Sequence, residues 1–365
     1  MKKLVLFFSI IFLTSLFSTN VYSQGCVEAT SDDGPQLVGY IQPQFNSYFF
    51  DDDVNGNAVK PNTFLFQRAR IGIVGSIPYD ISYYVMAELS PVAGGPMLLD
   101  AFVTYAPLGK YFKVSMGQFK SPFGLEVNTP CFALHTIERS LVTNQLSTPL
   151  RELGIMFLGA IGKERDIVSY KVAILNGTGI NHLDDNSNKD IAGRVVVAPI
   201  DWIKVGVSYR AGMSGLINSS GDQKKRTRYA ADITVEKMNF RLQGEYIWGE
   251  DEGLFAATGG GCGKSTLELD IYKKNGFWGQ IMYMTPWGIE PVVKYEVYNP
   301  DGTDYKYLDV TQDYGQSTWT FGVNYFLNDW TRVQVNYLYN AEETVGAQVN
   351  EFNNDALYIQ VQVKF

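Results

Sequence analysis

Residues 357–365 read LYIQVQVKF, and the character of their side chains alternates from one residue to the next. The apolar set is Leu357, Ile359, Val361, Val363 and Phe365, and the residues between them are Tyr358, Gln360, Gln362 and Lys364. Successive side chains of a β-strand point to opposite faces, so a period of two indicates a strand with one apolar and one polar face. The segment therefore predicts an amphipathic β-strand.

The same alternation recurs through the chain and marks sixteen candidate strands. They fall near 36–49, 62–76, 80–90, 98–106, 111–119, 152–162, 167–176, 190–199, 202–211, 226–236, 240–250, 275–285, 288–299, 316–327, 330–340 and 354–365. Most of them reach the roughly 9–11 residues that a tilted strand needs to cross a bilayer. A small extra hairpin arm is a further possibility within 251–274.

The connections between these strands alternate between short and long. Short turns are predicted at 77–79, 107–110, 163–166, 200–201, 237–239, 286–287 and 328–329. Long loops are predicted at 50–61, 91–97, 120–151, 177–189, 212–225, 251–274, 300–315 and 341–353. Short turns on one side and long loops on the other are typical of outer-membrane barrels, with the short turns in the periplasm. The sequence therefore predicts a transmembrane antiparallel β-barrel of about sixteen strands.

The composition agrees with a membrane barrel. The chain holds 23 Tyr, 22 Phe and 35 Gly, yet its mean hydropathy is −0.09. Only alternate residues of a membrane strand face lipid, so such a chain stays polar on average. Aromatic residues adjoin the predicted short turns, namely Tyr79, Tyr111, Phe112, Trp202, Trp287 and Trp330. This placement favours an aromatic girdle at the membrane interface, although aromatic residues are also good strand formers.

The N-terminus has the pattern of a secretory signal. Lys2 and Lys3 precede an apolar run over 4–17, and small residues surround a cleavage point between Ser23 and Gln24. The predicted division is a signal peptide at 1–23, an N-terminal segment at 24–35 and a barrel domain at 36–365. A lipoprotein attached through Cys26 is the alternative. Loss of two lysines takes the formal charge from −8 to −10, which argues against nucleic acid as a partner.

Residue patterns for catalysis, cofactors or metals are weak. His135 and His182 are the two histidines of the sequence, and both lie in predicted loops, which disfavours a Ser/His hydrolase. Residues 258–266 read TGGGCGKST, but a phosphate-binding loop needs Gly where Thr258 stands. We interpret the acidic runs at 51–53 and 184–190 as solvated loops in preference to calcium sites. We expect no enzyme activity, no cofactor and no metal site.

The third long loop, 120–151, is the candidate constriction. It begins within the stretch GQFKSPFGLE at 117–126 and carries Phe123, Phe132, Leu134, Ile137, Leu141, Val142 and Leu146. An apolar loop of this length between two strands must fold against other parts of the protein, and such loops are usually functional. We expect it to fold into the barrel.

The polar faces of the strands are expected to line an aqueous lumen, because sixteen strands enclose a channel. The pore-lining candidates are Arg68, Arg70, Glu88, Asp100, Arg194, Arg210, Arg228, Arg241 and Arg332. Opposed charges at a constriction set ion preference. A register error of one residue would place every one of these charges in lipid, where it is costly.

Four stretches carry a resemblance to a known family. They are FQRARIGIVG at 66–75, DAFV at 100–103, GQFKSPFGLE at 117–126 and IERS at 137–140, with Phe365 as a terminal aromatic. With these motifs the chain resembles the phosphate-selective porin O/P family of Gram-negative outer membranes. The resemblance implies a homotrimer embedded in outer-membrane lipid. It also implies a third long loop that narrows the pore, and passage of small solutes or inorganic anions such as phosphate.

The constriction candidates are Lys120, Glu126, Glu138, Arg139 and Arg151. They either face the permeating solute or form salt bridges that hold the loop in place, and the sequence leaves both interpretations open. The function expected is a passive, water-filled outer-membrane channel for small hydrophilic solutes and ions. The alternative is a barrel that acts as a surface adhesin or receptor through acidic extracellular loops.

Overall fold

The computed structural model describes residues 34–49, 60–216, 223–257, 266–300, 315–342 and 353–365. Sixteen strands form one closed antiparallel barrel in sequence order. Their bounds are β1 Gln36–Tyr48, β2 Thr63–Ile77, β3 Ile81–Glu88, β4 Met97–Tyr105, β5 Lys113–Lys120, β6 Arg151–Ile161, β7 Val168–Leu175, β8 Asp190–Ile200, β9 Ile203–Leu216, β10 Gln223–Lys237, β11 Phe240–Ala257, β12 Thr266–Tyr283, β13 Ile289–Asn299, β14 Gln316–Phe326, β15 Thr331–Glu342 and β16 Ala356–Lys364. The predicted fold is confirmed. The signal peptide and Cys26 lie outside the described residues.

The last strand closes the barrel against the first. β16 pairs with β1, and Gly39 and Phe365 exchange both backbone hydrogen bonds, at 2.8 and 2.9 Å. A Cβ on Gly39 would lie 2.5 Å from the carbonyl oxygen of Arg70 and 2.7 Å from the Phe365 ring. Glycine is therefore required where the terminal aromatic ring lies against β1. Closure removes the free strand edges that lipid does not tolerate.

The two faces of β16 match the alternation in its sequence. Ile359, Val361 and Val363 are 37–41% exposed on the outside, while Gln360 and Gln362 are at most 3% exposed on the inside. The same rule holds on β15, where Val335 and Tyr337 point outward and Gln334 and Asn336 are buried. An apolar outer face suits lipid, and the polar side chains are directed into the barrel.

The alternation of short and long connections holds, with one difference. β9 and β10 pair as far as Leu216 and Gln223, and β11 and β12 pair as far as Ala257 and Thr266. Two of the predicted long loops are thus partly strand, and the arm suggested for 251–274 is a direct extension of β11 and β12. Antiparallel neighbours of similar length keep pairing wherever the backbone stays extended.

The third long loop is folded inside the barrel. It contains the short helix α1, Leu125–Asn128, a 3-10 turn at Cys131–Ala133 and the helix α2, Leu141–Leu146. The Ser140 hydroxyl caps α2 by accepting from Thr143 N. In the part of the chain that the structure describes, no helix is long and apolar enough to span a membrane.

Candidate channel constriction

Apolar side chains of the loop pack against one side of the barrel wall. Phe123, Val142 and Leu146 form a buried cluster with inner-face residues of β10, β11 and β12, namely Ala230, Ile247 and Trp278. Phe123, Val142 and Ile247 have no measurable exposure. Burial of a large apolar side chain contributes about 1.5–3 kcal/mol, so this cluster alone favours the folded-in loop by several kcal/mol.

A wall carboxylate caps the first helical turn of the loop. Glu245 on β11 accepts hydrogen bonds from Leu125 N at 2.7 Å, Glu126 N at 3.2 Å and Trp278 Nε1 at 3.0 Å. The first amides of a helical turn have no partner within it, and a carboxylate supplies one. Gly124 has φ +72°, and a Cβ there would lie 2.4 Å from Glu245 Oε1, so only glycine allows this approach.

A buried ion pair joins α1 to β13. Glu126 Oε1 accepts from Lys294 Nζ at 2.7 Å, and Oε2 accepts from Ser140 N and Ser140 Oγ at 2.8 and 2.7 Å. Both side chains are at most 4% exposed. Burial raises the pKa of Glu126, but Lys294 and the Ser140 and Thr143 hydroxyls bring it below its ordinary value. Glu126 therefore stays ionised and holds the loop to the wall.

His135 joins the middle of the loop to β11, β13 and β14. Its Nδ1 lies 2.8 Å from Glu290 Oε1, its Nε2 lies 2.7 Å from Arg241 Nη1, and its carbonyl accepts from Asn324. Arg241 is always a donor, so Nε2 is the acceptor and Nδ1–H donates to Glu290. Burial lowers the pKa of His135 and Glu290 raises it, while Arg241 and Arg332 lower it, with a net decrease.

Acid is therefore expected to weaken this contact. The neutral imidazole is favoured in the folded protein, so its contribution to stability is complete above the ordinary pKa of about 6.5 and decreases as pH falls through the lower folded value. We expect thermal stability to fall between pH 7 and pH 5 more steeply for wild type than for His135→Gln, whose side chain does not titrate. The difference between the two curves isolates the part of the pH dependence that requires the imidazole. Parallel curves would contradict this role for His135.

Five basic side chains converge where the loop meets β2. This basic cluster consists of Arg68 and Arg70 from β2, Lys120 from the end of β5, Arg139 from the loop and Arg151 from the start of β6. Three carboxylates contact it. They form three salt bridges, Glu138 with Arg68 at 3.2 Å, Glu88 with Arg70 at 2.7 Å and Asp100 with Arg151 at 3.0 Å. Five basic groups and three carboxylates thus meet where the loop contacts the wall.

Cys131 lies inside this basic cluster. Arg70 Nη1 and Arg139 Nη1 lie 3.2 and 3.3 Å from its sulfur, and the residue is 2% exposed. Burial raises the pKa of the thiol, but Arg139, Arg70, Arg68 and Lys120 together bring it well below its ordinary value. The thiol is thus a local acceptor for two guanidinium groups.

The charged side chains of the loop mostly form hydrogen bonds with other groups of the protein. Lys120 Nζ donates to Thr129 O at 3.0 Å, and Arg139 donates to Glu126 O and Thr129 O at 3.0 and 2.9 Å. Both residues are less than one-tenth exposed. These contacts hold the loop in place, and an additional effect of Lys120, Glu126, Arg139 and Arg151 on a permeating ion stays a prediction. Glu138 is different, because its side chain remains 30% exposed.

The pore-lining candidates all point inward, and most are paired. Arg194 bonds Asp232, Arg210 bonds Asp190 and Glu152, Arg228 bonds Asp251 and Leu146 O, Arg332 bonds Gln362, and Arg241 bonds His135 and Glu236. Arg68, Arg70, Glu88 and Asp100 belong to the contacts of the basic cluster. The predicted residues thus form a charge network around the loop, and their role in selectivity remains a prediction.

Several residues of this network were missed by the sequence reasoning. Lys294, Glu290 and Glu296 lie on the buried face of β13, which alternates with the exposed face from 290 to 296, so the period of two contained a signal for them. Glu296 accepts from Leu141 N at 3.0 Å and thereby caps α2. The partners of Cys131 and His135 have no such signal, because the loop fold brings them together.

A cavity of about 550 Å³ remains beside the loop. It lies against β1, β2, β16 and the 3-10 turn at Pro91–Ala93, and Glu138 forms part of its lining. Tyr48 ends β1 and Thr63 begins β2, so the cavity lies at the long-loop end of the barrel. Burial raises the pKa of Glu138 while Arg68 lowers it, with a net increase.

The family comparison agrees with this architecture. Residues 41–213 match the family model described as phosphate-selective porin O and P. Over these strands the chain matches the pattern of that porin family. The match runs from within β1 to within β9, it includes the constriction loop and all five residues of the basic cluster, and it confirms the resemblance. The match and the closed barrel identify an integral outer-membrane channel protein.

Solved structures share the porin fold at low sequence identity. An anion-selective porin from Comamonas acidovorans has a TM-score of 0.63 and 11% identity, covering 91% of this chain and 99% of that one. The outer-membrane channel DcaP of Acinetobacter baumannii has a TM-score of 0.65 and 12% identity, covering 93% and 100%. OmpT of Vibrio cholerae, in a trimer form, has a TM-score of 0.60 and 12% identity, covering 91% and 99%. The comparison with curated proteins returns no match.

Proposed function

We propose that this porin passes small hydrophilic solutes passively and favours small anions over small cations. The observation that carries the proposal is the basic cluster, in which five basic side chains face three carboxylates beside the loop. A positive constriction with walls of low dielectric concentrates anions and repels cations. Transport of this kind is driven by the solute gradient and involves no bond making, so the porin is not an enzyme.

Two features of the solved relatives support the proposal. The Comamonas acidovorans porin is described as anion-selective, and it shares the fold over nearly its whole length. OmpT is described in a trimer form. We therefore expect a homotrimer with one channel in each subunit, embedded in outer-membrane lipid through the apolar outer faces. Phosphate is one candidate anion among several.

The zero-current potential across a planar bilayer tests the ion preference. In a KCl gradient at low salt, the zero-current potential of the wild-type channel should have the sign expected when chloride permeates more readily than potassium. The variant Lys120→Gln plus Arg139→Gln should lose much of this potential, because two positive charges leave the basic cluster. In about 1 M salt the Debye length falls to about 3 Å, so the difference between wild type and variant should shrink.

A matched control is Arg165→Gln, because Arg165 lies in a short turn and bonds Asp201 at the exposed surface. This variant should keep the wild-type potential. If the double variant also keeps it but conducts more current, Lys120 and Arg139 only hold the loop. A cation-selective wild type would contradict the proposed preference.

The receptor alternative receives little support. Of the two acidic runs on which it depended, 51–53 lies outside the described residues. In the other, Asp184 is paired with Lys189 and accepts from Asn186 N. The channel is the function that the geometry supports best.

A further inference from the structure

The cavity beside Glu138 has a composition different from that of the basic cluster. Its lining includes amide and phenol side chains of three strands, namely Gln44, Asn46, Tyr48, Gln67 and Tyr358. None of the residues that line it within the described part of the chain is a lysine or arginine. Lys60 lies over the ring of Tyr48, 4.1 Å from its centroid, outside this lining. The cavity thus offers hydrogen bonds with little positive charge.

The polar groups form a continuous track along the inner face of β1. Gln360 Nε2 donates to Gln44 Oε1 at 2.6 Å, Gln44 Nε2 donates to Asn46 Oδ1 at 2.7 Å, and Asn46 Nδ2 donates to Tyr48 Oη at 2.8 Å. Alternate residues of a strand share one face, so these groups succeed one another toward the mouth. Each amide has two donor hydrogens and two acceptor lone pairs, so it can serve a further partner that both donates and accepts.

Apolar groups complete the cavity. Leu65, Pro91 and Val92 present carbon surface, and the Tyr48 and Tyr358 rings lie 6.0 Å apart at 78° to one another. Small-molecule sites commonly combine an apolar lining with a few placed polar groups in a volume of about 300–1,000 Å³. A molecule with C–H faces and many hydroxyl groups satisfies both kinds of surface.

Glu138 disfavours an anion at this position. Its Oε1 accepts from Gln67 Nε2 at 2.7 Å and its Oε2 accepts from Arg68 Nη2 at 3.2 Å. Arg68 approaches from the β2 wall, so the carboxylate separates the cavity from the basic cluster. A neutral solute avoids the repulsion that a phosphate would meet here.

We propose that this cavity is a binding vestibule for neutral, hydroxyl-rich solutes of about disaccharide size. The inference rests on the proposed channel function and adds a solute class to it. A hydroxyl group donates and accepts at once, which matches the amide track, and the ring C–H groups match Leu65, Pro91 and Val92. Ion preference arises at the basic cluster, whereas the vestibule selects among uncharged solutes.

Ion current through the wild-type porin in a planar bilayer tests the vestibule, with maltose as the probe. At about 1 M KCl, where charge effects are screened, maltose on the long-loop side should reduce the current in a saturable way. Sodium phosphate at the same concentrations should not. Asn46→Leu and Gln67→Leu each remove an amide of the vestibule and should raise the half-blocking maltose concentration roughly tenfold.

Gln243→Leu is the matched control, because Gln243 lies on the inner face of β11 and bonds Thr234 and Gln280 away from the cavity. It should be blocked by maltose like wild type. A conducting channel that maltose does not block would overturn the vestibule and leave the channel function intact. Equal block of all variants, or block by phosphate at the same concentrations, would also overturn it. A protein without ion current would overturn the proposed function itself.

Discussion

Replacement of Lys294 by Met is expected to loosen the constriction and raise single-channel conductance several-fold. Lys294 is 2% exposed and is the cationic partner of Glu126, which then remains as a buried carboxylate without its counter-ion. Breaking a buried ion pair by removing one partner costs about 3–5 kcal/mol. The cost falls on the folded-in loop, because the ion pair joins α1 to β13. Planar-bilayer conductance and thermal unfolding of the purified porin measure the two consequences.

The double variant Glu126→Gln plus Lys294→Met is the matched control. It removes both charges of the pair and keeps a side chain that can still accept from Ser140. Conductance should return part of the way toward wild type, because Glu296 still lacks its contact with Lys294 at 3.6 Å. A buried pair replaced as a whole is often close to neutral. Wild-type conductance in Lys294→Met itself would show that this ion pair does not hold the loop.

Arginine in place of Ile359 should strongly deplete folded porin from the outer membrane. Ile359 lies near the middle of β16 on the outer face, 37% exposed. Arginine on the lipid face costs about 2–4 kcal/mol at the middle of the bilayer and less near the interfaces. β16 also closes the barrel against β1, so the cost falls on the strand that completes the fold. Heat-modifiable mobility in detergent gels measures the folded fraction.

The control is Leu183→Arg, in the long loop between β7 and β8, where the leucine side chain is 87% exposed. It makes a comparable change in a position that faces water and should fold normally. Normal assembly of Ile359→Arg would mean that the outer face of β16 does not contact lipid. The same reasoning applies to Val361→Asp, with a smaller expected effect because acidic residues are less costly on the lipid face.

The barrel could be predicted from sequence because its rules are local. A period of two assigns each side chain to one face, and the alternation of turn lengths fixes the order of neighbouring strands. Charges such as Arg194 and Arg332 were therefore placed correctly on the inside. The ends of β9 to β12 were predicted less well, because their pairing continues into segments that the sequence predicted as long loops.

The details of the constriction could not be predicted in the same way. The sequence indicated which residues the loop carries, but their partners come from strands far away in the chain. Glu126 meets Lys294, and His135 meets Glu290 and Arg241, only once the loop has folded into the barrel. The environment of Cys131 likewise depends on Arg70 of β2 and Arg139 of the loop. No periodicity encodes such contacts.

The most direct test of the constriction compares two single-channel conductances in a planar bilayer. One protein is wild type, and the other has residues 123–147 replaced by a short glycine-serine linker. If the folded-in loop narrows the lumen, wild type should give small, steady, voltage-independent current steps, and the shortened protein should give steps several times larger. Equal conductances, or no current through either correctly folded protein, would contradict a passive channel narrowed by this loop.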